Sequence, residues 1–162
     1  MTKTLEEKVD QWFVDRNLHE ANPVKQFEKL MEESGELFEG IAKDKPELIK
    51  DALGDMRVVI IGLLLQLNRG NKPEAANREL LLLELVKHIG NMAGKILLHI
   101  ENKNTEKISV GVELLGINRT MQYIALYSDT TLTDCLQIAY DKIKDRKGKM
   151  INGVFVKEED LK

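Results

Sequence analysis

The chain holds a single cysteine, Cys135, among 162 residues. No internal disulfide can form, and a reducing compartment is the natural setting. Long apolar runs are missing as well: the longest, Val58 to Leu65, falls far short of the roughly 20 residues a membrane helix needs. The opening stretch from Met1 to Glu7 lacks the apolar core of a secretion signal. A cytoplasmic protein with no membrane partner is expected. There is no excess of positive charge either. Lysine and arginine number 24 against 27 acidic residues, giving a net charge of −3 and a pI near 5.7. A general binder of polymeric nucleic acid needs a basic face, so that class is not expected. No internal repeat and no low-complexity segment interrupts the chain.

What is present is an ordinary globular composition, 43% apolar and 31% charged, on a length suited to one compact domain. Proline occurs only 3 times, and two prolines stand where helices begin. Asn22-Pro23 reads as an N-cap followed by proline at the first helical position. Asp44-Lys45-Pro46-Glu47 reads as a capping box, and Thr4 with Glu7 and Thr131 with Asp134 give weaker versions. Between these starts the apolar spacing is helical: Val24, Phe27, Met31, Phe38 and Ile41 share one stripe. The pattern predicts helices near 4–17, 23–42, 46–68, 73–102, 106–127 and 131–146, with a turn at 68–73 and an extended stretch near 153–156. The fold class is all-α. Residues 56–65 and 80–85 are apolar almost all round, and a helix apolar on every side is buried on every side. In so short a chain this points to a homodimer or homotetramer. Cys135 is expected to be a small buried residue.

The chemistry lies in the acids. The second helix carries Gln26, Lys29, Glu32, Glu33, Glu36 and Glu39. At about 100° per residue, Lys29, Glu33 and Glu36 fall within about 60° of one another. On the third helix Asp51 and Asp55 are one turn apart and share a face with Leu48, Val59 and Gly62. Asp55 precedes the long apolar run and is expected to be at least partly buried. Two buried carboxylates one turn apart repel each other unless a cation or a basic residue neutralises them. All candidate ligands are oxygens, and His19, His88 and His99 lie outside the acidic cluster. Oxygen-only ligation selects Mg²⁺, Mn²⁺ or Ca²⁺, with Mg²⁺ the usual companion of phosphate substrates. An acidic helix face is ordinarily just solvated, and Glu28, Glu32 and Glu39 suit that description. Asp51 and Asp55 suit it less, since aspartate is a poor helix former to place beside an apolar run.

Glu32-Glu33-Ser34-Gly35-Glu36-Leu37 followed by Asp51-Ala52-Leu53-Gly54-Asp55 resembles the MazG-like nucleoside triphosphate pyrophosphohydrolases. Their hallmark is Glu-x-x-Glu on one helix and Glu-x-x-Asp on the next. Gln26 to Leu30 and Ala139 to Met150 are similar to the same group, in its phage and Gram-positive form, so the likeness covers roughly residues 8–66 and 130–161. The resemblance implies an all-α bundle in one domain, residues 1–162, with extra helices over about 70–128 that serve assembly or lid the pocket. It also implies Mg²⁺ held by Glu33, Glu36 and Asp55. Ala52 stands where the family has its second glutamate, and Asp51, on nearly the same face, is the expected substitute.

The expected activity is Mg²⁺-dependent hydrolysis of a nucleoside triphosphate, a deoxynucleotide by preference, to the monophosphate and pyrophosphate. Mn²⁺ is an alternative ion. Glu32 or Glu36 would position the water, and Lys29 would meet phosphate charge. Lys142, Arg146 and Lys147 are candidates for the distal phosphates, or else simply cations favoured at a helix C-terminus. Trp12 and Phe13 are candidates to stack on the base, although a lone tryptophan in an amphipathic helix is more often core. Gln26 and Asn22 are candidates for a base edge, and Tyr123, Tyr127, Asn118 and Arg119 for contacts from a neighbouring subunit. Two other classes fit the same residues: a nucleotide sensor with weak turnover, and a structural helical oligomer.

Overall fold

The structure, a computed structural model, describes residues 3–102, 107–151 and 153–158. The chain divides into two compact units, Met1–Ala76 and Asn77–Lys162. The first holds α1 (Leu5–Asp15), a 3₁₀ turn at Leu18–Glu20, α2 (Pro23–Ala42) and α3 (Pro46–Asn68). The second holds α4 (Asn77–Glu101), α5 (Gly111–Tyr127), α6 (Leu132–Ile143) and an antiparallel hairpin of β1 (Gly148–Ile151) and β2 (Val154–Lys157). The described residues are thus mostly helical, as expected, with one small sheet.

The helix starts follow local chemistry. Thr4 Oγ1 accepts from the Glu7 amide at 3.2 Å while Glu7 Oε2 accepts from the Thr4 amide at 2.8 Å, a complete capping box. Asn22 Oδ1 caps α2 through the Val24 amide at 3.0 Å, and Thr131 Oγ1 caps α6 through the Asp134 amide at 3.1 Å. The expected box at Asp44–Glu47 does not form. α2 ends instead in a Schellman motif, with the Lys45 amide on the Gly40 carbonyl at 2.8 Å and the Asp44 amide on that of Ile41 at 3.3 Å. That closure puts Asp44 in the left-handed region at φ 48°, so its side chain does not cap α3, and Glu47 pairs with Lys50 at 2.8 Å.

Four helix ends differ from the periodicity by two residues or more, and the first is that of α1, which stops at Asp15 rather than near 17. α4 begins at Asn77 rather than near 73, because Glu74 is held outside any helix by Asn22. The Asn22 Nδ2 donates to the Glu74 carbonyl at 2.6 Å and its Oδ1 accepts from the Glu74 amide at 3.2 Å. α5 begins at Gly111, after non-helical residues 107–110, and the expected start at 106 lies outside the described residues. α6 stops at Ile143.

The first unit's core joins Phe13, Val24, Ala52, Val59 and Ile61. Trp12, the expected core aromatic, is instead 43% exposed, with the Arg16 guanidinium 4.4 Å above its ring. Phe13, next in sequence and about 100° round the helix, takes the inward place. The α2 stripe is covered only at its start: Val24 is buried, whereas Phe38 and Ile41 are exposed. Cys135 is exposed too, because α6 buries none of its residues.

Candidate functional site

α2 and α3 pack along their length. A Cβ on Gly40 would lie 2.9 Å from Ile49 Cγ1, and Gln26 Nε2 donates to the Val59 carbonyl at 3.2 Å. These two cross-points bracket an antiparallel register that brings Glu33 and Glu36 level with the stretch of α3 around Ala52 and Asp55. The acids named from the sequence therefore sit at one height on two neighbouring helices, although their surroundings differ.

Glu33 lies in the seam. Its side chain is only 5% exposed, and its Oε1 accepts from Lys29 Nζ at 2.7 Å. The same ammonium reaches Glu32 Oε2 at 3.0 Å. Lys29 is held well above the usual lysine range, first by its hydrogen bond to Glu33 and then by the one to Glu32, against a smaller opposing effect of desolvation. Glu36 is exposed, and so is Glu39, which is bonded by Lys43 at 2.8 Å and Lys45 at 3.2 Å. Those two lysines hold the Glu39 carboxyl below the usual carboxylate range.

Asp51 and Asp55 are exposed, contrary to the burial expected for Asp55. The reason is tertiary. Gly62 and Gln66 occupy nearly the same angular stripe of α3, about two and three turns beyond Asp55, and are buried by other parts of the unit. The Phe13 ring rests on Gly62 so closely that any Cβ there would collide with it, and Gln66 Nε2 donates to the Leu18 carbonyl at 2.9 Å. α1 and the 3₁₀ turn thus cover the C-terminal half of the stripe and leave its N-terminal half open. Asp51 lines an open recess of about 620 Å³ with Glu47, Leu48 and Lys50. Ala52 turns the other way and is fully buried, with 0% exposure.

Among the described residues, no three acidic, histidine or cysteine side chains stand close enough to hold a metal ion together. The acids there offer only hard oxygens, and the buried one, Glu33, is already partnered by the Lys29 ammonium.

The remaining candidates separate by unit. Gln26 is half-buried and bonded to Val59, and the Asn22 amide is taken by Glu74. Neither is available to a base as it stands. In the second unit Lys142, Arg146 and Lys147 line one recess of about 650 Å³ together with Asp145, Lys157 and Glu158. Lys157 comes from β2, and sequence spacing gave no sign of it. A helix dipole accounts for cations at the end of α6 but not for one supplied by a strand. Tyr123 and Tyr127 line a smaller apolar recess with Leu80 and Leu81. Arg119 lies 5.8 Å from the Tyr123 ring, and Asn118 is exposed.

A second buried acid was not foreseen. Glu113 of α5 is 6% exposed; its Oε1 accepts from Lys95 Nζ of α4 at 2.7 Å, while its Oε2 is buried with no hydrogen-bond partner. Its neighbours on that helix face, Val110, Gly116 and Ile117, carry no charge, and that contrast was the available signal.

No protein-family model matches the chain, and no solved structure matches it. Over 59 residues the chain is 56% identical to an uncharacterised 18.2 kDa protein from the rep-hol intergenic region of Haemophilus phage HP1. The match covers 36% of this chain and 36% of that relative, so it spans about a third of either protein. Among the described residues, no helix is long and apolar enough to cross a membrane.

Proposed function

We propose that the protein is a MazG-like, Mg²⁺-dependent nucleoside triphosphate pyrophosphohydrolase acting in the cytoplasm on a deoxynucleotide by preference. The observation that carries this reading is Glu33: a carboxylate buried in a helix seam, with a cation against it, level with two uncovered aspartates of the next helix. Charged side chains are almost never buried without such a partner. Glu33, Glu36, Asp51 and Asp55 would hold Mg²⁺, which when bound supplies neutralising charge to the phosphates. Glu32 or Glu36, both exposed, orients a water and takes its proton as it attacks the α-phosphorus. The α–β anhydride bond breaks, and the electron pair leaves with pyrophosphate. Within the second unit, Lys142, Arg146 and Lys147, joined by Lys157, offer a basic recess suited to phosphate groups. Trp12 offers an exposed ring for base stacking, already used by a guanidinium. The bare apolar side chains of α4, α5 and α6, such as Leu98, Leu115 and Leu136, support assembly as a homodimer or homotetramer.

One observation favours a second reading. Ala52 is fully buried and brings no carboxylate to the position where the resembled family has one. A sensor that binds nucleotide with little turnover follows if Asp51 does not compensate.

Incubation with each NTP and dNTP plus Mg²⁺, with pyrophosphate release followed, tests both readings. Turnover reduced about 100-fold in Asp55→Ala is expected for the enzyme. Calorimetric binding without turnover would select the sensor, and neither would leave a structural oligomer. Full activity in Asp55→Ala would overturn the metal assignment.

A further inference from the structure

α4 meets α5 along one line of side chains. Lys95 Nζ donates to Glu113 Oε1 at 2.7 Å, the His88 ring rests on Gly116, and Leu81 and Glu84 border a recess with Tyr123 and Tyr127. At about 100° per residue, a second line runs roughly 130° further round α4: Leu82, Val86, Ile89, Ala93, Ile96 and Ile100. None of the six is polar, and Glu84, Lys87 and Lys95 all fall on the other side of the helix. Ile89, Ile96 and Ile100 are 45%, 41% and 65% exposed, Ala93 is exposed, and Leu82 and Val86 are half-buried. α4 buries none of its residues. Such a stripe stabilises only when something covers it.

Its spacing says what that is. Successive members stand 4, 3, 4, 3 and 4 residues apart, the heptad repeat of a two-helix seam. The series reads the same in both directions about Asn91. An antiparallel second copy therefore meets it in layers: Leu82 against Ile100, Val86 against Ile96 and Ile89 against Ala93, each twice about one two-fold axis. The central layers fit a large side chain to a small one. A parallel copy would set Ala93 on Ala93 and leave a void in mid-seam, with the two helix dipoles aligned. With flanking Leu97, 55% exposed, the stripe offers on the order of 500 Å² per copy, so about 1,000 Å² in the pair, the amount a specific interface needs.

We propose that α4 pairs with α4 of a second copy, antiparallel and centred on Asn91, as one interface of the assembly. This rests on the reading of the chain as a homo-oligomer and adds to it a surface, a direction and a register.

Light scattering and sedimentation equilibrium of the full chain test it, with circular dichroism establishing that each variant is folded. Ile89→Glu puts a charge into the seam and should halve the mass of the assembly. Ile89→Ala and Ala93→Ile should each raise the dissociation constant at least about tenfold, by emptying or overfilling the central layers. The double variant exchanges large and small and should return to within about threefold of wild type. A spin label at Arg78→Cys, in a Cys135→Ser background because Cys135 is exposed, should find its counterpart about 40 Å away. An oligomeric wild type whose mass and dissociation constant survive Ile89→Glu would overturn the seam and leave the homo-oligomer reading standing. Tighter assembly in Ala93→Ile, no recovery in the double variant, or labels within about 20 Å of each other would overturn the antiparallel register. A wild type that stays monomeric at about 100 μM would bring down that reading and the seam together.

Discussion

The two units use similar material to different ends. In the first, α1 and the 3₁₀ turn close over α3, and Phe13, Val24, Ala52, Val59 and Ile61 form a buried core. In the second, α4 and α6 bury no residue, and α5 buries Ala125 together with the polar Glu113 and Thr120. Leu97, Leu98, Ile100, Leu114, Leu115 and Leu126 remain exposed there. A hydrophobic stripe stabilises a fold only where another element covers it. The first unit covers part of its stripe, while the second leaves most of its large apolar side chains bare.

The largest effect should come from breaking the better core. Phe13→Ala removes the ring that covers Gly62 and is expected to cost about 3–5 kcal/mol. Urea unfolding followed by amide exchange should show α1–α3 opening early while α4–α6 keep their protection. Uniform loss across both would make the two units one cooperative body.

Next comes the bare surface of the second unit. Leu115 is exposed on α5, and Leu115→Glu should raise the dissociation constant of the assembly at least about tenfold, read by sedimentation or light scattering. A monomeric wild type would remove homo-oligomerisation as the explanation of that surface.

The smallest effect concerns acid. Lys95 chiefly, then a backbone hydrogen bond, hold the Glu113 carboxyl below the usual carboxylate range, and His88 adds to this. A carboxyl depressed by folding stabilises above its ordinary value of 4.5, and that stability is lost as the pH falls through the lowered value. Glu113→Gln should therefore be less stable than wild type at neutral pH, with the gap narrowing below 4.5. Thermal melts across that range check it, and parallel profiles would show that the pair has no acid dependence.

Much of the fold was legible beforehand, and the reason is local. Asn22-Pro23 and Pro46 mark starts, Gly70 follows the end of α3, and α2 and α3 begin and end where spacing put them. The capping box at Thr4 needed only its own four residues. The predictions that failed each depended on something distant. The Asp44 cap lost to the Schellman closure of α2, the start of α4 was delayed by Asn22 some fifty residues away, and Trp12 gave its inward place to Phe13. The candidate site divides in the same way. That Glu33, Glu36, Asp51 and Asp55 share facing helices follows from a 3.6-residue period. Which of them is buried does not.

The sequence alone determined helix type, most helix limits, the acids of the two facing helices and the basic end of α6, because propensity, caps and periodicity act over a few residues. Only the tertiary structure decided that Glu33 lies inside with Lys29 against it, that Asp55 lies open, and that Lys157 joins the basic recess. Burial and charge pairing are set by what packs against a face, and that partner can come from anywhere in the chain.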